Sequence, residues 1–279
     1  MTPDLDAMME FADKLPSLPV AVVKAMQLLR DENSQNDQVA SALSMDQALV
    51  GQVLKLSNSP YYGVSRRVST VQQAILVLGR KAVRNLVIAA AAQDFLSKPQ
   101  AGYMLRRGDL WSHSMAAGCG ASLIAEKVNY KPKEEAFVAG LLHDIGKVVL
   151  SGYLAEQTDT LMDRLSAGDA TIDQIERDVI AVDHAALGGL ITEHWQLPAV
   201  LSKAICYQHH PSDAGDDWQL AAIVHLANTL ALVIGVGLGV DGLQYSFDDA
   251  AVARLGISAE DMDELTSELI EQVEEPSVR

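Results

Sequence analysis

One pair of side chains stands where neither could be left without a partner. His143 and Asp144 follow Phe137-Val-Ala-Gly-Leu-Leu and precede Ile145-Gly-Lys147-Val-Val-Leu, a run that is otherwise almost wholly apolar. Burying an imidazole and a carboxylate together is costly unless something compensates both. A divalent cation does so, and mixed nitrogen and oxygen donors suit Fe(II), Mn or Zn. Further ligands would come from other helices converging on the same core. Candidates are His113, inside the apolar stretch Trp111-Ser-His113-Ser-Met, His184, which opens a helix after Val182-Asp183, and His209-His210, which end a helix before Pro211. Taken singly each is a weak signal, because a lone histidine at a helix end is more often a cap or a solvated residue. His194, beside Trp195, falls in that ordinary class. His225 shares a helical face with Asn228, and it is equally a hydrogen-bonded core residue.

Other chemistries find no support. No glycine-rich phosphate loop follows a strand, and no serine has the strand–turn–helix setting of a nucleophile elbow.

The elements that must carry these residues read as helices throughout. Apolar residues recur at i, i+3 and i+4, as in Val20, Val23 and Met26, or Val71, Ile75 and Leu78, whereas strict alternation is nearly absent. Helices are expected near 103–128, 133–149, 153–166, 171–181, 184–195, 198–208 and 217–234. Before them, Ser69 caps a helix that Gly79 ends ahead of a second run to Leu96. A tail from Ala259 carries Met262, Leu265, Leu269 and Val273 on one face and eight acids without a base through Glu275. It is read as a docked amphipathic helix with a solvated acidic face.

The breakers at Lys98-Pro-Gln-Ala-Gly102 mark a boundary between a lobe over 1–98 and a lobe over 99–279. Charge changes at the same place. The chain carries a net −16, and residues 1–98 hold 10 basic against 9 acidic side chains, so the excess lies beyond them together with all seven histidines. That balance excludes a duplex nucleic acid as main partner. Arg66-Arg67 and Arg80-Lys81 with Arg84 form a basic strip, read first as solvated helix-end charges. Two cysteines, Cys119 and Cys206, cannot make a disulfide framework and fit a reducing compartment. Met1–Glu10 has no export-signal character, and Ala221–Val240, although uncharged, holds His225 and Asn228 and ends in a glycine run, so it reads as a buried helix rather than a membrane span.

The order His113, His143-Asp144, His184, His209-His210 and a helix with Asn228 is similar to the ligand order of HD-superfamily metal-dependent phosphohydrolases, above all the histidine-rich form in HD-GYP phosphodiesterases. Leu15-Pro-Ser-Leu-Pro19, Leu56-Ser-Asn58-Ser-Pro-Tyr-Tyr-Gly63, Ser69-Thr-Val-Gln-Gln-Ala-Ile75, Leu78-Gly79-Arg80 and Val83-Arg-Asn85-Leu86 resemble the HDOD domain, an HD-related output domain of bacterial signalling proteins. The resemblance spans roughly residues 8–235. It implies an all-α fold of two helical lobes, the second HD-like, and a cytoplasmic role in signal transduction. It places His113, His143, Asp144, His184, His209 and His210 on ligand positions for one or two ions, with Asp144 bridging two. It adds Asp109, one turn before His113, where some relatives have another acidic ligand.

Two departures weigh against turnover: Asn228 replaces the closing aspartate, and the Gly-Tyr-Pro loop after the paired histidines is absent. The reading is therefore a non-catalytic signalling module with a metal site and a possible nucleotide-like ligand, meeting signalling proteins in separate chains. Its alternative is a metal-dependent phosphohydrolase acting on a nucleotide or cyclic dinucleotide. In that case the ions would activate water and Lys147, three residues after Asp144, would neutralise phosphate oxygens. For Lys147 a solvated helix-end lysine is the competing reading.

Overall fold

A computed structural model describes residues 10–59, 62–168, 170–240 and 248–274. Pro60 and Tyr61 of the Leu56–Gly63 motif, Glu275 of the acidic tail and residues 1–9 at the N-terminus lie outside them. Among the described residues there is no strand, only an isolated bridge between Gln100 and Leu105. The helices are α1 (Val20–Arg30), α2 (Asn36–Leu43), α3 (Gln47–Ser57), α4 (Val71–Leu96), α5 (Asp109–Lys127), α6 (Lys133–Leu142), α7 (Lys147–Leu154), α8 (Thr158–Ala167), α9 (Ile172–Ile180), α10 (His184–His194), α11 (Ala199–Cys206), α12 (Trp218–Val233), α13 (Asp249–Leu255) and α14 (Ala259–Glu274). The fold is all-α, as the periodicity predicts.

Two compact units emerge, one of residues 17–94 with the last residues of α14, the other of residues up to 16 and 95–270. The division thus falls inside α4, ahead of the breakers at 98–102, and residues 10–16 group with the second unit. Aromatic anchoring explains the difference. Phe95 lies against Trp195, with ring centroids 6.0 Å apart, and the Trp195 indole N–H donates to the Pro16 carbonyl at 2.6 Å. These contacts outweigh the local punctuation.

Within the 17–94 unit, Gly79 adopts φ 86° and kinks α4 where the sequence predicts a break. The N-terminal cap of α4 is the Thr70 hydroxyl, which accepts from Gln73 N, rather than Ser69. Arg80 is not part of a solvated strip. Its guanidinium donates to the carbonyls of Leu28, Asp31 and Ser34 and to Asn36 Oδ1, closing the end of α1 and the turn that follows.

In the second unit, α5 packs on α6 and α12. The small residues Ala116, Ala117, Gly118 and Ala121 of α5 are buried, so the helix axes can approach closely. The acidic tail docks as expected: Leu265 and Leu269 of α14 are buried, and Lys127 of α5 pairs with Asp261 and Glu264. α12 ends at Val233, shorter than the apolar stretch 221–240, and is buried for nearly all its length. Among the described residues one segment, Lys133–Leu154, is long and apolar enough to cross a membrane, and 78% of its apolar window is buried inside the fold. Both cysteines are free, and burial raises each thiol to about 12.

Candidate metal centre

His143 and Asp144 are not inside a helix. α6 stops at Leu142 and α7 starts at Lys147, so the expected helix over 133–149 is broken at the polar pair. Residues 143–146 form tight turns in which Ile145 N donates to Leu142 O and Lys147 N to Asp144 O. The turn packs tightly against the start of α10. A Cβ on Gly146 would overlap the carbonyl oxygen of His184, so only glycine lets the turn lie against the start of α10. The expected helix over 103–128 likewise starts late, at Asp109, because Met104 and Gly108 take positive φ.

His113 of α5, His143 and Asp144 bring one donor atom each within 4.8 Å of one another, all buried. The hydrogen bonds prescribe the tautomers. His143 Nδ1 is 2.7 Å from Gly140 O and His113 Nδ1 is 3.1 Å from Val236 O, so in the neutral rings each Nδ1–H donates to a carbonyl and each Nε2 presents a lone pair inward. Val236 reaches His113 because Gly237, at φ 61°, lets the chain pass where a side chain would strike Asp109 O and His113 Cβ.

Two buried polar atoms then have no hydrogen-bond partner, His143 Nε2 and Asp144 Oδ1. Nε2 of His143 lies 3.2 Å from Asp144 Oδ2 without hydrogen-bond geometry, and His113 Nε2 lies 3.7 Å from the same oxygen. Asn228 Oδ1 is 3.0 Å from His113 Nε2. Donors about 2.1 Å from one ion sit about 3 Å apart when they are neighbours at right angles, so these spacings suit a shared cation. Turning the Asn228 amide would satisfy His113 without an ion. It would leave His143 Nε2 and Asp144 Oδ1 as they are, and these two atoms are what fit a metal.

A second set of donors faces Asp144 from the other side. His184 Nε2 is 3.4 Å from Asp144 Oδ1 and 2.9 Å from His209 Nε2. The carboxylate of Asp144 thus lies between a His113–His143 side and a His184–His209 side. Burial works against the charged form of Asp144, yet His143 and Lys147 hold its pKa well below the usual range. Burial also opposes charge on His184, but the Glu176 carboxylate raises it to about 9. Burial and the His184 charge push His209 well below its ordinary value.

The remaining candidates are placed differently. Lys147 is 2% exposed, not solvated, and its ammonium donates to Asp144 Oδ2 at 2.6 Å. His210 diverges from His209: its side chain is 48% exposed and its Nε2 lies 3.6 Å from Asp173 Oδ2. Asp109 is half-buried and its carboxylate accepts the Arg106 backbone N–H at 2.7 Å, outside the three-residue cluster. His225 is a core histidine, donating from Nδ1 to Gln208 O and accepting the Asp248 N–H at Nε2.

Residues absent from the sequence-based set support the centre from behind. Gln208 donates to His143 O at 2.7 Å, and Glu176 of α9 meets His184 Nδ1 at 2.7 Å. Asp173, on the same helix, is held well below its ordinary pKa: burial opposes this, but His210, His209, Thr171 and Arg177 prevail. One signal for Glu176 existed, since it stands four residues after the apolar Ile172 and shares its face.

Comparison with known proteins agrees with this architecture. The HDOD domain family model matches residues 15–211. An uncharacterised protein of Treponema pallidum (strain Nichols) is 24% identical over 218 residues, and the match covers 77% of this chain but 42% of that relative's length. A candidate phosphohydrolase from Shewanella amazonensis SB2B is 26% identical with TM-score 0.74, the match covering 96% of this chain and 95% of that one. An HDOD domain protein of unknown function from Geobacter sulfurreducens is 25% identical with TM-score 0.70, over 96% and 97%. A candidate signal transduction protein from Marinobacter aquaeolei VT8 is 25% identical with TM-score 0.73, over 98% of this chain and 62% of that one. With the family model covering well over half of its residues, the chain belongs to the HDOD domain family.

Proposed function

We infer that this HDOD protein is a non-catalytic signalling module whose histidine-rich centre holds one or two divalent ions, with Asp144 shared between them. The observation that carries the metal reading is the pair of buried partnerless atoms, His143 Nε2 and Asp144 Oδ1. An ion there would meet His113, His143 and Asp144, with Asn228 on the first side, and Asp144, His184 and His209 on the second. A bound divalent ion neutralises Asp144 and could polarise water or a phosphate ester that reached it. Access is what speaks against turnover. Lys147, the group that would clamp a phosphate, is itself shut in and committed to Asp144, and Asn228 offers a neutral donor where a carboxylate would hold the ion more tightly. Signalling proteins are the proposed partners, in keeping with the Marinobacter relative, and a bacterial cytoplasm is the proposed setting.

The second reading is a metal-dependent phosphohydrolase, favoured by the intact His143-Asp144 and Lys147 and by the name of the Shewanella relative. Protein purified with Mn²⁺ or Fe²⁺ supplied is expected to retain divalent metal, measured by elemental analysis, and His143→Ala and Asp144→Ala to lose it. Metal-free wild-type protein from that preparation would sink the metal reading. Hydrolysis of nucleotides, cyclic dinucleotides or a chromogenic phosphodiester by the wild type, abolished in His143→Ala, would replace the non-catalytic reading with the second.

A further inference from the structure

Glu176 is fully buried, and among the described residues its one ion-pair partner is His184. Its Oε2 accepts both the His184 backbone N–H and the ring Nδ1–H, each at 2.7 Å, and its Oε1 accepts the Tyr103 hydroxyl at 2.6 Å. Tyr103, also fully buried, therefore fixes the carboxylate from the far side. A carboxylate so held permits one ring orientation for His184: Nδ1–H toward Glu176, Nε2 toward Asp144 and His209.

His113, His143 and His184 are consequently not equivalent. His113 and His143 are backed by neutral backbone carbonyls, Val236 O and Gly140 O, whereas His184 is backed by a full negative charge. A carboxylate behind an imidazole increases the electron density at the opposite nitrogen and fixes its direction, which strengthens that nitrogen as a metal donor.

We propose that Glu176 is the positioning residue of the centre, orienting His184 through Nδ1 and strengthening its Nε2 as a donor relative to His113 and His143. It does not touch the ion. The inference rests on the metal reading above and extends it to a residue outside the ligand set. A purely structural role is the competing account, because Glu176 also accepts an N–H at the first turn of α10, and the amide of Glu176→Gln could still accept that bond.

The test is a titration of chelator-stripped wild type, Glu176→Gln and Tyr103→Phe with Mn²⁺ and with Co²⁺, reading affinity by calorimetry and the visible absorption of the Co²⁺ form. Melting of the metal-free proteins is followed in parallel. Glu176→Gln is expected to weaken binding about 10–100-fold and to shift the Co²⁺ spectrum. Tyr103→Phe, which keeps the charge but frees one end of it, should weaken binding about 3–10-fold and serves if the first variant does not fold. Affinities within twofold of wild type, with an altered melting temperature only, would overturn the proposal and leave the metal reading standing. A wild type that binds neither ion would overturn both.

Discussion

Asn228 and Lys147 are the two residues that set how firmly this centre can hold a cation. Asn228 already points an oxygen at the His113 donor nitrogen, 3.0 Å away, but carries no charge. Asn228→Asp should therefore tighten Mn²⁺ binding by at least about tenfold, a carboxylate replacing a neutral amide. Unchanged affinity in calorimetry would mean that Asn228 is not a ligand. Lys147 acts in the opposite sense, because its ammonium shares Asp144 Oδ2 with any ion on the His113–His143 side. Without metal its ammonium pairs directly with that buried carboxylate, and breaking such a pair costs about 3 kcal/mol or more. Lys147→Met is expected to lower the unfolding free energy of the stripped protein by about that amount. It should also raise metal affinity, so that the loss is smaller in the loaded protein. Equal losses with and without metal would show that the ammonium and the ion do not compete.

The turn between α6 and α7 and the cap on α1 are the elements whose roles the sequence misread. Periodicity carried a single helix through His143 and Asp144, because nothing local to that run breaks it. At the break the first carbonyl of α10 leaves no room for a side chain at Gly146, a contact visible only in the fold. Gly146→Ala should push the turn away from His184, costing about 1–3 kcal/mol in urea unfolding and separating the two halves of the donor set. A variant with wild-type stability and metal content would refute that placement. In the 17–94 unit, Arg80 joins five acceptor atoms, on Leu28, Asp31, Ser34 and Asn36, at the end of α1, in the following turn and at the start of α2. Charged hydrogen bonds to carbonyls are worth about 1.5–3 kcal/mol each when a partner is lost, not additively. Arg80→Ala is accordingly expected to destabilise the protein by about 2 kcal/mol or more. Lys81→Ala, an exposed neighbour, should do almost nothing, and equal effects of the two substitutions would restore the solvated-strip reading.

Across the whole molecule, stability should depend on pH through histidines as well as through metal. Burial lowers His225 below its ordinary 6.5, and protonation would set an Nε2–H against the Asp248 N–H it now accepts. Its folded pKa lies below the unfolded one, so its contribution is complete above about 6.5 and is lost as the pH falls toward the folded value. Between about pH 7.5 and about pH 5.5 the chelated wild type should lose more stability than His225→Gln, as read by urea midpoints. Parallel losses would exclude His225 as the source. The sequence by itself determined the all-α class, because helical periodicity is written in each segment. It also determined the family, and the residue types suited to a cation, since a histidine and an aspartate inside an apolar run are conspicuous without a structure. It separated His225 from the ligand candidates only partly, and it grouped His209 with His210, whose side chains meet different neighbours in the fold. Only the tertiary structure decided which lone pairs face inward, because the tautomers depend on carbonyls at Gly140 and Val236 and on the Glu176 carboxylate. Only it decided that Lys147 is sealed against Asp144 and that the unit boundary lies within α4. The Val236 contact of His113, the burial of Lys147 and the Phe95–Trp195–Pro16 anchoring rest on packing between segments distant in sequence, which no local pattern encodes.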